Sequence, residues 1–310
     1  MSDVISARRA IVTFASWEPR WKASVRALLS ENDGASLRIL YSARYTEWTK
    51  AARDEMISDA RAGGFEVEQT EIDLEQSGRA WREAAAFTIA LADAGIEAVS
   101  LDGTTMPREV TWFLLHATGE LRLTTDYIYV PAGSYGEWLS KESLQPRLVL
   151  KRSGVLYPDK PTCVMAMSGF DIGRLNQLVS YFEPAKVEVA KQVGERYGNA
   201  GRNNPQLSEY GRRAHIFDFD GFDLSGASHV LLKSRIEPLL PNYNVLLASL
   251  GPKLSAVTAF EITEELPEVA LVYIPSSSYN REYSKGEDMS RRVVRRIRRG
   301  EGTSVRPGGI

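Results

Sequence analysis

The sequence predicts an α/β protein made of two tandem, duplicated domains whose sheets are mostly parallel. Three observations carry that prediction. Two stretches, YVPAGSYGEWLSK (129–141) and YIPSSSYNREYSK (273–285), are near copies set 144 residues apart. Four further matched pairs precede them in the same order, which is the signature of an internal duplication. Within each half, short apolar runs alternate with stretches of helical periodicity. That pattern demands right-handed crossovers and a parallel sheet covered on both faces.

The elements follow in order. AIVTFASWEPRWKASVRALL (10–29) matches TCVMAMSGFDIGRLNQLVSYF (162–182), and each reads strand, loop, helix. SLRILYSARY (36–45) matches KVEVAKQVGERY (186–197), both strands that run into a polar loop with Arg and Tyr. EVEQTEIDLEQSG (66–78) matches RAHIFDFDGFDLSG (213–226), and EAVSLDGTTMPREVTWFLLH (97–116) matches NVLLASLGPKLSAVTAFEIT (244–263). TKAARDEMISDARAGG and GRAWREAAAFTIALADAG supply helices of the first half, and SHVLLKSRIEPLL fills the latter slot of the second. The expected organisation is therefore a Rossmann-like repeat over 1–142, a linker over 143–160, a second repeat over 161–289 and a basic tail over 290–310. Within the linker, RLVL reads as an added strand. The closing YVP and YIP strands are candidates for antiparallel pairing at a sheet edge.

Composition fits a globular protein with room for two cores: 310 residues, 43% hydrophobic and 25% charged. No apolar run has the length of a membrane helix, and the polar start MSDVISARRAIVTF does not read as a signal peptide. The expectation is a cytoplasmic protein that does not engage the membrane. The single cysteine, Cys163, excludes an internal disulfide framework and a cysteine zinc site. The net charge of −2 hides an asymmetry, because residues 291–310 contain seven Arg and one Glu and leave the rest acidic. An acidic body argues against general binding of a phosphate backbone.

In open α/β sheets, ligands bind beyond the carboxyl ends of the strands. After the first strands stand Ser16, Trp17, Glu18 and Arg20, matched by Ser168, Asp171 and Arg174. After the second stand Ser42 and Arg44, matched by Gln192 and Arg196. After the fourth stand Asp102, Thr104 and Thr105, matched by Lys253. The run DGTTMP offers a glycine for close backbone approach, Thr104 or Thr105 as a helix cap, and Pro107 in the first turn, an arrangement whose exposed amides suit an anion. LGPKL repeats it and adds Lys253. The ordinary requirements of a strand-to-helix turn explain the same residues. The presence of Arg in matching loops is what favours a phosphate. Trp17 beside Ser16 and Arg20 suits stacking on a base.

A strand, then Gly-Thr-x-Met opening a helix, then a strand ending in Tyr, resembles the CRISPR-associated Rossmann (CARF) fold. Two such units in one chain resemble the SAVED arrangement. The resemblance implies a sensor that binds a cyclic oligonucleotide across the two units and belongs to antiviral defence. No effector domain is visible in the sequence, so a separate effector protein is implied. The expected ligand contacts are Arg20, Arg44, Arg174, Arg196 and Lys253 to phosphates, with hydrogen bonds from Ser16, Ser168, Thr104 and Thr105.

Two other classes stay open. One is an enzyme acting on a nucleotide or other phosphorylated small molecule, with Glu18, Asp102 or Asp171 as acid or base. The other is an interaction protein whose basic tail docks nucleic acid or an acidic partner at 291–299. Read as a helix, SRRVVRRIRRGEG shows a narrow apolar stripe in a basic surround, suited also to the acidic body of a homodimer mate. Its plainer reading is a solvated terminal helix. IFDFDGFDL matches the Asp-x-Asp-Gly start of haloacid dehalogenase phosphatases, but lacks the following Thr. His116, His215 and His229 fall at no zinc spacing, and no GxGxxG, P-loop or GxSxG run occurs. No metal and no cofactor are expected.

Overall fold

The computed structural model describes residues 8–136, 140–169, 171–193, 214–223 and 225–297. In the first lobe β1 (Arg9–Phe14), α1 (Pro19–Glu31), β2 (Ser36–Tyr41), α2 (Thr46–Ala62), β3 (Val67–Glu71), α3 (Ser77–Asp93), β4 (Ala98–Asp102), α4 (Arg108–Glu120) and β5 (Thr124–Tyr129) alternate as the sequence predicts. The short strands β6 (Ser134–Tyr135), β7 (Ser140–Ser143) and β8 (Arg147–Leu148) lead into the second lobe. That lobe holds β9 (Thr162–Met167), α5 (Ile172–Phe182), β10 (Lys186–Gln192), β11 (Ala214–Phe219), α6 (Ala227–Ile236), β12 (Asn244–Ser249), α7 (Lys253–Glu265) and β13 (Ala270–Tyr273). β14 (Ser276–Tyr279), β15 (Ser284–Lys285) and β16 (Val293–Arg296) close the described chain.

The two main sheets run β16-β5-β4-β1-β2-β3 and β11-β10-β9-β12-β13-β8. Five strands of each are parallel, and one edge strand in each is antiparallel. This is a mixed α/β architecture of two Rossmann-like lobes. Strand periodicity sets the layers. Ala10, Val12 and Phe14 face one cluster and Ile11 the other, because successive side chains point to opposite faces. α1 and α2 cover the second face of the first sheet through Trp21, Val25, Leu28 and Met56. The first face belongs to a cluster that continues into the second lobe, joining Phe113 and Trp112 of α4 to Val257 and Phe260 of α7. Each such fully buried large apolar side chain contributes about 1.5–3 kcal/mol. The two lobes therefore share a core.

The antiparallel edge strands are exchanged between lobes. β8, from the segment read as a linker, pairs with β13 of the second sheet. β16, from the segment read as a tail, pairs with β5 of the first sheet, Val293 opposite Tyr129. The YVP and YIP strands themselves run parallel to their neighbours, so the antiparallel partner is the exchanged segment.

The helix expected for the start of the tail is thus corrected to a strand. Its physical reason is the alternation of Val293, Arg295 and Ile297 inward with Val294 and Arg296 outward, on β-branched residues that suit an edge. Its arginines are neutralised within the chain: Arg292 pairs with Glu31, Arg295 with Glu261 and Arg296 with Asp126. The acidic partner for this part of 291–299 is the protein's own body. Arg298 and Arg299 lie outside the described residues. Among the described residues no helix is long and apolar enough to cross a membrane.

Candidate functional site

The repeated motif forms the joint between the lobes. β6 pairs with β15 and β14 pairs with β7, so each copy's Ser-x-Tyr or Ser-Tyr stretch lies antiparallel to the other copy's Ser-Lys. Ser284 faces Tyr135 and Ser140 faces Tyr279, positions that correspond at the same 144-residue spacing. The two copies are related by an approximate two-fold axis through these ladders. The tyrosines of each copy also meet. Tyr129 and Tyr135 join hydroxyl to hydroxyl at 3.2 Å, and Tyr273 is hydrogen-bonded to Tyr279.

Each lobe sends an arginine to its own copy of the motif. Arg20 donates to the Val130 carbonyl at 3.3 Å, and Arg174 donates to the Ile274 carbonyl at 3.1 Å. Both carbonyls precede the motif's proline. Each arginine is held by an acid from the loop before its helix, Arg20 by Glu18 at 2.8 Å and Arg174 by Asp171 at 2.9 Å. Arg20 also lies 5.9 Å from the ring centres of Tyr129 and Tyr135. The Ser284 hydroxyl donates to Glu18. Burial pushes the Glu18 carboxyl up, but Arg20, Ser284 and Lys253 outweigh it and hold the group below its ordinary value.

The second reciprocal pair spans the joint. Arg108 opens α4 and donates to the carbonyl of Gly251, just before α7. Lys253 opens α7 and donates to the carbonyl of Met106, just before α4. Each helix begins directly after a proline, Pro107 or Pro252. Trp112 adds a hydrogen bond to the Ala256 carbonyl at 2.8 Å across the same contact. Among the described residues neither Arg108 nor Lys253 has a carboxylate in ion-pair range, their partners being those carbonyls, and Arg108 Nε is buried without a hydrogen-bond partner. Burial, followed by the charges of Arg20 and Arg108, pushes the Lys253 ammonium well below its ordinary value. Burial and Arg174 likewise push the Arg108 guanidinium down. Four cations thus converge where the strands end, and two of them, Arg108 and Lys253, are held by carbonyl oxygens and have no carboxylate in ion-pair range among the described residues.

The other residues expected at the site are placed as follows. Asp102 is fully buried and accepts from Thr13 at 2.8 Å, Ser24 at 3.0 Å and the Thr104 amide at 3.1 Å, and burial raises its pKa. Thr104 accepts from the Val130 amide, and Thr105 donates to the Phe14 carbonyl. Neither threonine caps α4, whose cap position is Pro107; they tie the loop to its neighbouring strands instead. The close approach at Gly103 is made by a side chain, since a Cβ there would lie 2.1 Å from the Tyr127 hydroxyl.

Ser16 accepts from the Glu18 amide and shapes the turn. Ser42 directly follows β2 and its carbonyl accepts from the Tyr45 amide, while Arg44 pairs with Glu75 at 2.8 Å and donates to the Ser277 carbonyl. Trp17 packs against Tyr45, Trp48 and Tyr279. Ser168 donates to the Ala190 carbonyl at 3.4 Å. Gln192 binds Asp220 and the Gly221 amide. That places Asp220 in a turn directly after the edge strand β11. Arg196 lies outside the described residues.

Sequence reasoning missed Arg108 and the tyrosine pairs. The signal for Arg108 was present: Pro107-Arg108 and Pro252-Lys253 are the same dipeptide pattern at the same helix start.

No family model matches the chain, and no curated protein matches it. Among solved structures the chain is similar to a UDP-N-acetylglucosamine 2-epimerase at 12% identity, over 78% of this chain and 74% of that one, with a TM-score of 0.28. It is similar to a universal stress protein from Archaeoglobus fulgidus DSM 4304 at 10% identity, over 85% and 94%, with a TM-score of 0.26. It is also similar to MurG of Acinetobacter baumannii at 11% identity, over 81% and 74%, with a TM-score of 0.26. Such scores carry no functional argument, and the two-lobed α/β description rests on the chain's own topology.

Proposed function

We propose that the protein binds a phosphorylated, nucleotide-type small molecule at the joint between its lobes and reports occupancy to a separate partner protein. The observation that supports this reading is the pair Arg108 and Lys253, one from each lobe and neither with a carboxylate in ion-pair range among the described residues, beside Arg20 and Arg174. Gathering like charges in a partly desolvated place is unfavourable unless something offsets it. A phosphate oxyanion is the natural counter-charge, and strand-end loops are its usual seat. Because the joint is made from both lobes, an anion there changes how firmly they are held together, which is the requirement for a sensor. The resemblance to CARF and SAVED domains makes a cyclic oligonucleotide one class to test.

Binding is favoured over turnover by the state of the acids. Asp102 is enclosed with three donors and Asp171 caps α5 while holding Arg174. Glu18 remains, and the cations that keep it ionised also make it a weak base. The test is a thermal-shift panel of pyrophosphate, mononucleotides, dinucleotides and cyclic oligonucleotides, with each hit recovered for mass spectrometry. A ligand at about 100 times its dissociation constant adds roughly 2.7 kcal/mol to the folded state. The expected result is a shift that Lys253→Met abolishes, with the ligand recovered intact. A consumed ligand would make the protein an enzyme. No shift with any phosphorylated compound would end the reading.

A further inference from the structure

Beside the cationic joint lies a group of four aromatic rings that its chemistry does not use. Trp17, from the loop after β1, stands 5.1 Å from Trp48 at 88° and 5.7 Å from Tyr45 at 60°. Tyr279 of β14 packs 6.4 Å from Trp17 and 5.7 Å from Tyr45. All four rings are half-buried at the lobe surface. Two exposed arginines sit over them, Arg44 at 5.8 Å from the Tyr45 ring and Arg281 at 5.4 Å from the Trp48 ring. Tyr279 connects this group to the joint, because it is hydrogen-bonded to Tyr273 and lies in the field of Arg174 and Arg108.

Two features distinguish the cluster from ordinary packing. The indole N–H of Trp17 is buried and has no acceptor, an unfavourable state that a ligand's ring nitrogen or keto oxygen would relieve. Tyr45 and Trp48 lie tilted at 34° while the other pairs meet at steeper angles; the rings stay partly open and guanidinium groups flank them, which is the composition of a stacking platform for a planar base. Trp17, Tyr45 and Trp48 belong to the first lobe, whereas Tyr279 and Arg281 belong to the second.

We infer that these rings form the base subsite of the ligand, so that phosphates occupy the joint while a nucleobase stacks at Trp17, Tyr45, Trp48 and Tyr279. This inference rests on the phosphate reading of the joint. It adds that the ligand is recognised at two separable places, and that the base subsite is complete only when both lobes contribute. Stacking tolerates any base, so purine and pyrimidine nucleotides both gain from it.

The experiment is calorimetric titration of the full chain with pyrophosphate, ADP and UDP, followed by tryptophan emission. Both nucleotides are expected to bind roughly tenfold more tightly than pyrophosphate or better, the increment of one stacked base, and to quench emission where pyrophosphate does not. Trp48→Leu and Trp17→Leu should each reduce nucleotide affinity towards that of pyrophosphate and leave pyrophosphate binding unchanged. Trp48 provides the second variant in case Trp17→Leu alters the turn before Glu18, and the thermal midpoint of each variant checks folding. Equal affinity for pyrophosphate and nucleotides would overturn the base subsite alone. So would a folded Trp48→Leu variant that weakens all three ligands in equal proportion. Failure of all three to bind, and of the cyclic oligonucleotides with them, would overturn the joint and the subsite together.

Discussion

Arg20 and Arg174 make the same bonds in two lobes, yet their surroundings differ. The Arg20 side chain is 4% exposed and its partner Glu18 12%, whereas Arg174 is 13% exposed and Asp171 44%. In the first lobe the pair is enclosed by Tyr129, Tyr135 and Ser284, the last contributed by the second lobe's copy of the motif. In the second lobe the acid faces water. Duplication has therefore kept the wiring and changed the dielectric around it. A buried pair is costly to break, because the surviving charge stays unpaired, while a half-exposed pair is readily replaced by solvent.

The largest expected effect follows from that difference. Arg20→Ala should lower stability by about 3–5 kcal/mol, the cost of leaving a buried acid without its partner, measured by urea denaturation. Equal losses for Arg20→Ala and Arg174→Ala would show that burial does not separate the lobes. Next comes Gly103→Ala, where the new Cβ would overlap the buried Tyr127 hydroxyl at 2.1 Å. Overpacking of that kind costs about 1–3 kcal/mol, read as a lowered denaturation midpoint.

The acid side of the pH profile sharpens the comparison further. The folded-state pKa of Glu18 lies below its reference value of 4.5. Its contribution is thus present above that pH and disappears as pH falls through the folded value. Glu18→Gln should flatten the acid limb of stability below pH 4.5, and an unchanged limb would rule out a contribution from Glu18. The smallest effect belongs to Asp171→Ala, about 1 kcal/mol, since it loses an exposed pair and a helix cap.

The duplication was legible because matched strands and helices recur in the same order, at offsets that drift only from 152 to 144 residues, and because Tyr129 and Tyr273 open the same motif. The site was legible in part. Arg20, Arg174 and Lys253 stand in the first turns of the helices that follow the strand ends, beside the loops that strand-end reasoning singled out. Thr104, Thr105 and Gly103 resemble ligand-binding residues in sequence, yet their partners are Val130, Phe14 and Tyr127, contacts made by strands remote in the chain. Local pattern cannot show which neighbour takes a hydroxyl. The tail misled for a similar reason: Val293 to Ile297 satisfies both a helical stripe and a strand alternation, and only the free edge of β5 decides between them. Charge composition pointed the tail outward, whereas Glu31, Asp126 and Glu261 draw it onto the body.

Arg108 and Lys253 face each other across the joint without a carboxylate in ion-pair range among the described residues, and the proposed reason is an anion seated between the lobes. Lys253→Met tests it most directly, by thermal unfolding with and without pyrophosphate. Burial and neighbouring cations lower the folded-state pKa of Lys253, so the penalty on its charge in the ligand-free protein is full below that lowered value and shrinks as pH rises towards its ordinary value of 10.5. The variant should therefore be more stable than the parent without ligand, by about 1 kcal/mol, and should gain nothing from pyrophosphate that stabilises the parent. A variant that is less stable without ligand, or that keeps the full pyrophosphate shift, would contradict the account.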